Sequence, residues 1–282
     1  MNEVISERAF AKLNLVLHVG PPRGDGLHPL CSVFASLDLA DVVEVEPAGE
    51  GASSDSVDCP GVVAVNLAEE AAAAFRHRVP ALPPLNIRID KRVPVSAGLG
   101  GGSADAAAVL RAANRIAGCP LSVDALREIA ARLGSDVPSQ VEPRNALVQG
   151  VGELVEEVEL PPLAVILVPQ HEGLSTARVY AQLDRMKGWR EPLDPRPLRE
   201  LAGSLDAGSL HPGALENDLQ PASISLRPEL AQVLELLRET GSLATLVSGS
   251  GPTCFSLFAD RERAEGAAAG IEGAILAEIR QP

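Results

Sequence analysis

The chain has 282 residues, of which 24 are basic and 38 acidic, so its formal net charge at pH 7 is −14. A surface of this sign repels nucleic acids and anionic membranes, and we expect neither as a partner. Hydrophobic residues make up 46% of the chain but aromatic residues only 2%. The core is therefore predicted to consist of Ala, Val, Leu and Ile, in an α/β protein of one or two domains.

The cysteines and the first residues of the chain indicate its compartment. Four cysteines, Cys31, Cys59, Cys119 and Cys254, are scattered without a C-x-x-C pair. This pattern favours buried free thiols in a reducing compartment over disulfides or a zinc site. The opening MNEVISERAF lacks a basic and then apolar signal pattern, and no apolar run approaches the length of a membrane span. We expect a cytoplasmic protein.

The first predicted element is a β-strand over residues 11–19, where alternation puts Lys12 and Asn14 on the same face. Their Cα atoms would lie about 6.5 Å apart. Burying Lys12 is unfavourable without an anionic partner, and the alternative is a side chain that reaches solvent at the strand edge. The turn GDGLHP follows, in which His28 is predicted to be exposed.

The next elements are predicted from local patterns. Strands are expected around residues 33–37 and 42–46, followed by a polar loop over 49–58. A helix over 67–76 is expected to begin at Asn66, because Asn is a preferred N-cap. The alternating segment LNIRID predicts a further strand.

The stretch PVSAGLGGGSADAAAVLRAAN, residues 94–114, places four glycines within five positions and continues as an Ala-rich helix. Glycine lets backbone N–H groups turn toward a ligand, and a helix N-terminus adds partial positive charge. The order of strand, glycine loop and helix suits a phosphate site, although an ordinary tight turn has the same composition. No Lys follows the glycines as in a P-loop, and the spacing differs from the dinucleotide-binding fingerprint.

A second helix, capped by Ser122, is predicted to end at Gly134 and to lead into GSDVP. Pro138 predicts an extended Val137, which would place Asp136 on a rigid turn. Taken alone, Asp136 is best explained as the cap of a following helical turn.

A domain boundary is predicted near residue 157, which gives domains 1–156 and 157–282. The apolar run LAVILVP, just after this boundary, predicts a buried central strand. Residues 189–212, rich in Pro, Gly and charge, are predicted to be a surface excursion with one short helix.

The rest of the second half is predicted to alternate helices, over 176–186 and 229–240, with short strands around Leu246, Phe255 and Ile275. The residues Gly249, Ser250 and Gly251 join two of these strands. A tight turn would explain them without a ligand.

Three motifs occur together in the order found in the GHMP family of small-molecule kinases. They are AKLNL at residues 11–15, PVSAGLGGGSADAA at 94–107 and VSGSGPTCF at 247–255. The chain resembles this family over nearly its whole length. Its GLGGGSADAA variant, with RGDGLH, GSDVP and ENDL, resembles the members that act on a cytidyl-linked methylerythritol. The resemblance implies a two-domain α/β fold with ATP and substrate in a cleft between the domains.

The resemblance also implies roles for single residues. Asp136 would accept the proton of the substrate hydroxyl, and Lys12 would keep Asp136 ionised and assist the attacking oxygen. Asn14 and His28 would contact the diphosphocytidyl group or the methylerythritol. Tyr180 and Leu27 would cover the two faces of the cytosine, Leu27 standing where the family usually has an aromatic residue, and Gly249, Ser250 and Gly251 would form the floor of the substrate site.

The implied nucleotide site is mostly backbone. Its residues are Pro94, Val95, Ser96, Ala97, Gly98, Leu99, Gly100, Gly101, Gly102, Ser103 and Ala104, with Lys91 and Asn66 near the adenine. ATP and Mg²⁺ are the expected cofactors. Because Gly101 and Gly102 replace the serines of the usual motif, Mg²⁺ is expected to rely on phosphates, water and few protein ligands.

Two alternative functions stay open at this point. One is another GHMP kinase, of the homoserine or mevalonate type, and the other is a catalytically silent nucleotide-binding homologue. The glycine pair after GLG and the DGLH turn favour the cytidyl substrate, and the presence of both Lys12 and Asp136 favours an active enzyme. A monomer or weak homodimer is expected.

Overall fold

The computed structural model of the chain describes residues 4–49, 51–62, 66–205 and 215–281. The fold is mixed α/β, as predicted. Its strands are β1 Ile5–Val19, β2 Leu30–Pro47, β3 Ser56–Asp58, β4 Leu85–Asp90, β5 Ala146–Gly150, β6 Leu154–Glu157, β7 Ala164–Val168, β8 Ala244–Val247, β9 Cys254–Phe258 and β10 Ile275–Glu278. Its helices are α1 Leu67–Arg78, α2 Gly101–Ile116, α3 Val123–Ala130, α4 Val137–Gln140, α5 Thr176–Met186, α6 Arg196–Ser204, α7 Gln220–Leu226, α8 Glu229–Glu239 and α9 Arg261–Ala268.

The chain forms two compact units, each assembled from separate segments. The first comprises Met1–Ala11, Leu39–Val95 and Gly100–Pro143, and the second comprises Lys12–Asp38, Ser96–Leu99 and Arg144–Pro282. Strands β1 and β2 therefore contribute residues to both units. The predicted boundary near residue 157 stays a prediction.

In the first unit, strands pack against a layer of helices. β4 pairs in parallel with β3 and antiparallel with the Val42–Pro47 end of β2. α1, α2, α3 and α4 pack together, and the Ala-rich face of α2 is buried almost completely. Small Ala side chains let the helices approach closely, and one continuous apolar core joins α2 to β4 and to Phe75 of α1.

The second unit holds an antiparallel sheet in the order β10-β7-β9-β8. Every residue of β7 is buried, which confirms the prediction of a central strand there. α8 and α9 contribute to the core on this sheet, and α5 and α7 share a smaller core with Leu17 and Val19 of β1. The Leu30–Phe34 end of β2 pairs with β5, and β5 pairs with β6.

Several predicted elements are confirmed closely. α5 has the predicted bounds, and α8 ends one residue before the predicted end. α1 begins after Asn66, whose Oδ1 accepts a hydrogen bond from the Ala68 backbone N–H at 3.0 Å. The short helix expected within 189–212 is α6, although residues 206–212 lie outside the described part of the chain.

Other predictions are wrong. The polar loop over 49–58 contains the short strand β3, which is paired with β4. Val137 is helical, because Pro138 occupies the first turn of α4, where its missing N–H disrupts no helical hydrogen bond. The four cysteines are free, as expected, but Cys119 is exposed and Cys59 only half-buried. Among the described residues, no helix is both long and apolar enough to cross a membrane.

Candidate active site

The glycine-rich motif forms the start of α2 in the first unit. Gly100 occupies the N-cap position at φ 71°, a left-handed conformation that glycine adopts without strain, and no side chain caps the helix. The predicted loop is shorter than expected, because Gly101 and Gly102 already belong to the first helical turn. Backbone N–H groups at an uncapped helix start attract an anion. The first turn of α2 is thus suited to a phosphate.

Lys91 lies beside this first turn. A Cβ atom at Gly101 would lie 3.3 Å from the Lys91 Nζ, so only glycine leaves the ammonium uncovered here. Lys91 Nζ donates to Asp41 Oδ2 at 2.5 Å and to Asp105 Oδ2 at 2.8 Å. Burial lowers the pKa of Lys91, but its attraction to Asp105 and its hydrogen bonds to both carboxylates outweigh this effect and raise the pKa. The ammonium therefore stays charged at the helix start.

Asn66 lies beside Cys59, a residue close enough to Lys91 to feel its charge. Burial raises the pKa of the half-buried Cys59 thiol, while the Lys91 charge and a hydrogen bond with Asn66 oppose the increase.

The other residues of the predicted loop differ in exposure. Val95 and Ser96 are exposed, whereas Ala97, Leu99 and Ala104 are each at most 3% exposed. These three side chains are buried inside the protein. At these positions only backbone groups could contact a ligand.

Asp136 is the N-cap residue of α4, at φ −89°, but its side chain does not cap the helix. Asp136 therefore stands at the cap position that the sequence predicts, without the side-chain capping hydrogen bond. The Asp136 carbonyl accepts a hydrogen bond from Ser139 Oγ at 2.8 Å, and Arg111 of α2 donates to the Gln140 carbonyl at 2.7 Å. Ser139 and Gln140 thus fix the backbone of the turn that carries Asp136.

In the second unit, Lys12 is 5% exposed, so its side chain does not reach solvent at a strand edge. Its Nζ donates to Asn14 Oδ1 at 2.7 Å and lies 4.8 Å from the centre of the Phe34 ring. Asn14 Nδ2 donates in turn to Ser32 Oγ at 2.9 Å, and Ser32 Oγ donates to the Val16 carbonyl. This buried relay confirms that Lys12 and Asn14 share one face, and it fixes the ammonium in place.

The predicted Gly249–Gly251 turn lies against this relay. A Cβ at Gly249 would lie 3.0 Å from Asn14 Oδ1 and 3.7 Å from Lys12 Nζ, and the residue has φ +56°. Asn217 Nδ2 donates to the carbonyls of Val247 and Gly249 and thereby fixes the turn.

Ser250 anchors the same turn to a helix. Its Oγ lies 2.9 Å from Thr176 Oγ1 at the start of α5, and its carbonyl accepts from Ser223. These hydrogen bonds hold the turn in place, and Gly249 puts no Cβ against Asn14 and Lys12.

The second-unit part of the glycine loop packs on this turn. A Cβ at Gly98 would lie 2.7 Å from the Gly251 carbonyl oxygen and 2.8 Å from that of Ser248. Ser248 Oγ donates to the Gly98 carbonyl, and Lys12 N–H donates to the Leu99 carbonyl at 2.9 Å. The three motifs that define the family resemblance therefore meet in this unit.

His28 is buried, although the sequence predicts an exposed turn residue. Its Nδ1 lies 2.8 Å from the Gly20 carbonyl oxygen. Its Nε2 lies 3.5 Å from Asp184 of α5. The His28 and Tyr180 ring centres are 5.1 Å apart with a 46° tilt. Leu27, next to His28, is 53% exposed. The structure thus brings two of the residues predicted to contact the cytidyl group into direct contact.

Several residues of these clusters were absent from the sequence-based prediction, among them Asp41, Asp105, Ser32 and Asn217. Asp105 lies inside the glycine motif and Asn217 inside ENDL, so motif membership was an available signal. Nothing in the local pattern identifies Asp41 or Ser32, because β2 also carries Ser36, Asp38, Glu44 and Glu46, and nothing in the sequence separates these polar residues from one another.

Comparison with known proteins assigns the class. The family profile of the GHMP kinase N-terminal domain matches residues 66–142, and that of the GHMP kinase C-terminal domain matches residues 194–274. The chain belongs to the GHMP kinases. A 4-diphosphocytidyl-2-C-methyl-D-erythritol kinase of Nocardia farcinica is 41% identical to it, across 96% of this chain and 90% of that protein.

Solved structures agree with this class. The crystal structure of a 4-(cytidine 5'-diphospho)-2C-methyl-D-erythritol kinase superposes with a TM-score of 0.82 at 30% identity, over 99% of this chain and all of that one (100%). A homoserine kinase from Cytophaga hutchinsonii gives a TM-score of 0.68 at 17% identity, over 99% of this chain and 95% of its own. At that identity the likeness concerns the fold alone.

Proposed function

We propose that the chain transfers the terminal phosphoryl group of ATP to the 2-hydroxyl of 4-diphosphocytidyl-2-C-methyl-D-erythritol. This reaction belongs to the non-mevalonate, or methylerythritol phosphate, route to isoprenoid precursors. The observation that carries the proposal is the 41% identity with the Nocardia farcinica kinase over nearly the full length of both chains. The buried Lys12 relay and the uncapped glycine start of α2 give it a physical basis.

The nucleotide part of the proposal rests on the first unit. Phosphoryl transfer depends on alignment and charge stabilisation more than on covalent chemistry. The N–H groups at the start of α2 supply partial positive charge to an ATP phosphate. Residues 94–104 are proposed to wrap the nucleotide through their backbone, with Asn66 and Lys91 toward the adenine end.

The acceptor part of the proposal assigns roles to Lys12, Asn14 and Asp136. Lys12 stabilises the negative charge that develops on the attacking oxygen, and Asn14 holds its ammonium in place. Asp136 orients the substrate hydroxyl and accepts its proton late in the transfer. Gly249, Ser250 and Gly251 form the floor beside this hydroxyl. Gly249 lies against Asn14 and Lys12, and a side chain there would occupy space that the substrate needs.

His28, Tyr180 and Leu27 are proposed to bind the cytidyl group. The contact between the His28 and Tyr180 rings supports this assignment, because it fixes an aromatic face near an exposed apolar side chain. Stacking of a base on an aromatic ring contributes about 1–3 kcal/mol. With Leu27 in place of a second aromatic, the cytosine is held by stacking on one face and by apolar contact on the other.

Mg²⁺ is proposed to enter with ATP. Among the described residues, no group of three or more His, Cys, Asp or Glu side chains could hold a metal ion. Mg²⁺ at kinase sites is usually held mainly by phosphate oxygens and water, and we propose the same mode here. When bound, the ion neutralises phosphate charge. We also propose a cytoplasmic location, no nucleic-acid partner, and a monomer or weak homodimer.

A direct assay tests the function. ATP consumption is measured with the cytidyl-linked methylerythritol, homoserine and mevalonate in parallel, and turnover is expected with the first alone. Turnover only with homoserine or mevalonate would identify a different GHMP kinase. ATP binding without turnover of any of the three would identify a silent homologue.

A further inference from the structure

The two carboxylates that hold Lys91 differ in how well they are satisfied. Asp41 is fully buried, and its Oδ1 accepts the backbone N–H groups of Arg92 at 2.6 Å and Val93 at 2.7 Å. Asp105 is 3% exposed and accepts from Lys91 through Oδ2, whereas its Oδ1 is buried without a hydrogen-bond partner among the described residues. Leaving a buried acceptor unpaired is unfavourable, most of all for a charged oxygen.

The charge of the cluster also bears on nucleotide binding. With both carboxylates ionised and one ammonium, the cluster carries a net charge of about −1. Asp105 lies four positions after Gly101, so its Cα is roughly 6 Å along the helix from the start of α2. ATP phosphates at that helix start add more negative charge. A nearby like charge favours the neutral form of a buried carboxyl group.

The charged and titratable groups around Asp105 come from several elements. Lys91 follows β4, Asp41 belongs to β2, and Cys59 follows β3, while Glu69 and Glu70 on the first turn of α1 are exposed to solvent. Burial and, after it, the neighbouring Asp41 carboxylate raise the pKa of Asp105 to about 7, and the Lys91 ammonium opposes this only in part. Burial also raises the pKa of Cys59, so its thiol stays protonated near neutrality. Asp105 is thus suited to change protonation near pH 7.

We propose that Asp105 takes up one proton from solvent when ATP binds at the start of α2, which leaves Lys91 paired with Asp41 and available to the nucleotide. The inference rests on the proposed function because ATP is its ligand. The proton returns to solvent when the nucleotide leaves. Since the bound form holds the proton more tightly, ATP affinity is full at low pH and declines as pH rises above about 7.

The test is titration calorimetry of ATP binding with saturating Mg²⁺, in buffers of different ionisation enthalpy. At a pH of about 7.5 the wild type is expected to take up roughly half a proton more than Asp105→Asn. Its Kd for ATP is expected to increase about tenfold between pH about 6.5 and 8.5, and that of Asp105→Asn to stay constant. Glu69→Gln, which removes an exposed carboxylate from α1, is the matched control and keeps the wild-type response.

Equal proton uptake by wild type and Asp105→Asn, or proton release on binding, would overturn the inference. If Asp105→Asn does not fold, the wild type alone decides: uptake must be largest between pH about 7 and 8 and must vanish near pH 5.5. A flat profile would also overturn the inference. Failure of the proposed function differs from both outcomes, because the wild type would then bind no ATP or would bind it without turning over the cytidyl substrate.

Discussion

Leu27 provides a test of substrate recognition at a single position. Its side chain is 53% exposed beside the His28–Tyr180 contact, so Leu27→Tyr can add an aromatic ring without displacing the core. We expect the KM for the cytidyl substrate to fall by about fivefold or more, because one stacking contact is gained. Steady-state kinetics measure the change, with the KM for ATP unaltered.

The matched control is Leu154→Tyr, which adds the same ring to another exposed leucine, 56% exposed and at the first position of β6. It should leave both KM values at the wild-type level. An unchanged KM in Leu27→Tyr would contradict the assignment of this position to the cytidyl site.

Substitutions at Gly98 and Gly26 distinguish the energetic cost of backbone strain from that of a steric clash. Both have positive φ, 77° and 81°, but a Cβ at Gly98 would meet two carbonyl oxygens within 2.8 Å, whereas nothing lies within 4 Å of one at Gly26. We expect Gly26→Ala to lower the free energy of unfolding by about 1 kcal/mol and Gly98→Ala by roughly 3 kcal/mol. Urea denaturation measures both. Equal losses would show that the Gly98 loop can move away from the Gly249–Gly251 turn.

At the scale of residues, the sequence predicts which side chains lie together where a motif or strand alternation determines their placement. Lys12 and Asn14 are two positions apart, so period-two geometry alone puts them on one face, and the structure joins them at 2.7 Å. Asp41 and Lys91 are fifty positions apart, and their contact depends on the pairing of β2 with β4. No local pattern predicts that register.

At the scale of elements, α2 supports α4 through Arg111, a cation whose side chain is only 16% exposed. Arg111 donates to Glu7 Oε2 at 2.9 Å and to the carbonyls of Gln140 and Arg8. Burial lowers the pKa of Arg111, and the Glu7 charge opposes that change. Removing one partner of a buried ion pair leaves the other charge uncompensated. Arg111 is therefore expected to hold the turn that begins at Asp136.

We expect Arg111→Met to reduce the free energy of unfolding by about 3–5 kcal/mol and kcat on the order of tenfold. Arg115→Met is the matched control, because Arg115 also pairs with Glu7, at 2.8 Å, but is 54% exposed. Its loss should cost below about 1 kcal/mol. Urea denaturation and steady-state kinetics distinguish the two variants, and similar losses in both would exclude a special role for Arg111.

The elements that sequence patterns predict best are those with a strong cap or a clear period. Asn66 caps α1 and Ser122 caps α3, and both helices begin directly after these residues. β3 has no signal in the sequence, because three residues are too few to show a period. The four residues of α4 are indicated only by Asp136 as a possible cap. In α4, a proline that disfavours helix for its predecessor occupies a first-turn position that tolerates it.

At the scale of the whole molecule, the compact units could not be predicted from the chain order. The chain passes from the first unit to the second after Ala11, inside β1, and returns to the first after Asp38, inside β2. A long strand carries no change of composition at such a point, whereas a linker rich in Pro and Gly does. The sequence therefore predicts a boundary where the composition changes, near residue 157. It does not indicate that β1 and β2 each contribute residues to both compact units.

Lys12 belongs to the second unit and Asp136 to the first, so their proposed cooperation is a property of the whole chain. We expect Asp136→Asn and Lys12→Met each to lower kcat by at least about 10²-fold, with ATP affinity little changed. If both residues serve one transfer step, the double variant should be about as slow as the slower single variant, and not the product of the two losses.

The control for this cycle pairs Asp136→Asn with Lys187→Met, which removes an exposed ammonium at the end of α5. Steady-state kcat and ATP titration of all variants provide the data, and the control pair should combine multiplicatively because independent sites add in free energy. Multiplicative losses for Lys12 and Asp136 as well would mean that the two residues act in separate steps. A large loss of ATP binding in Asp136→Asn would instead assign Asp136 a structural role.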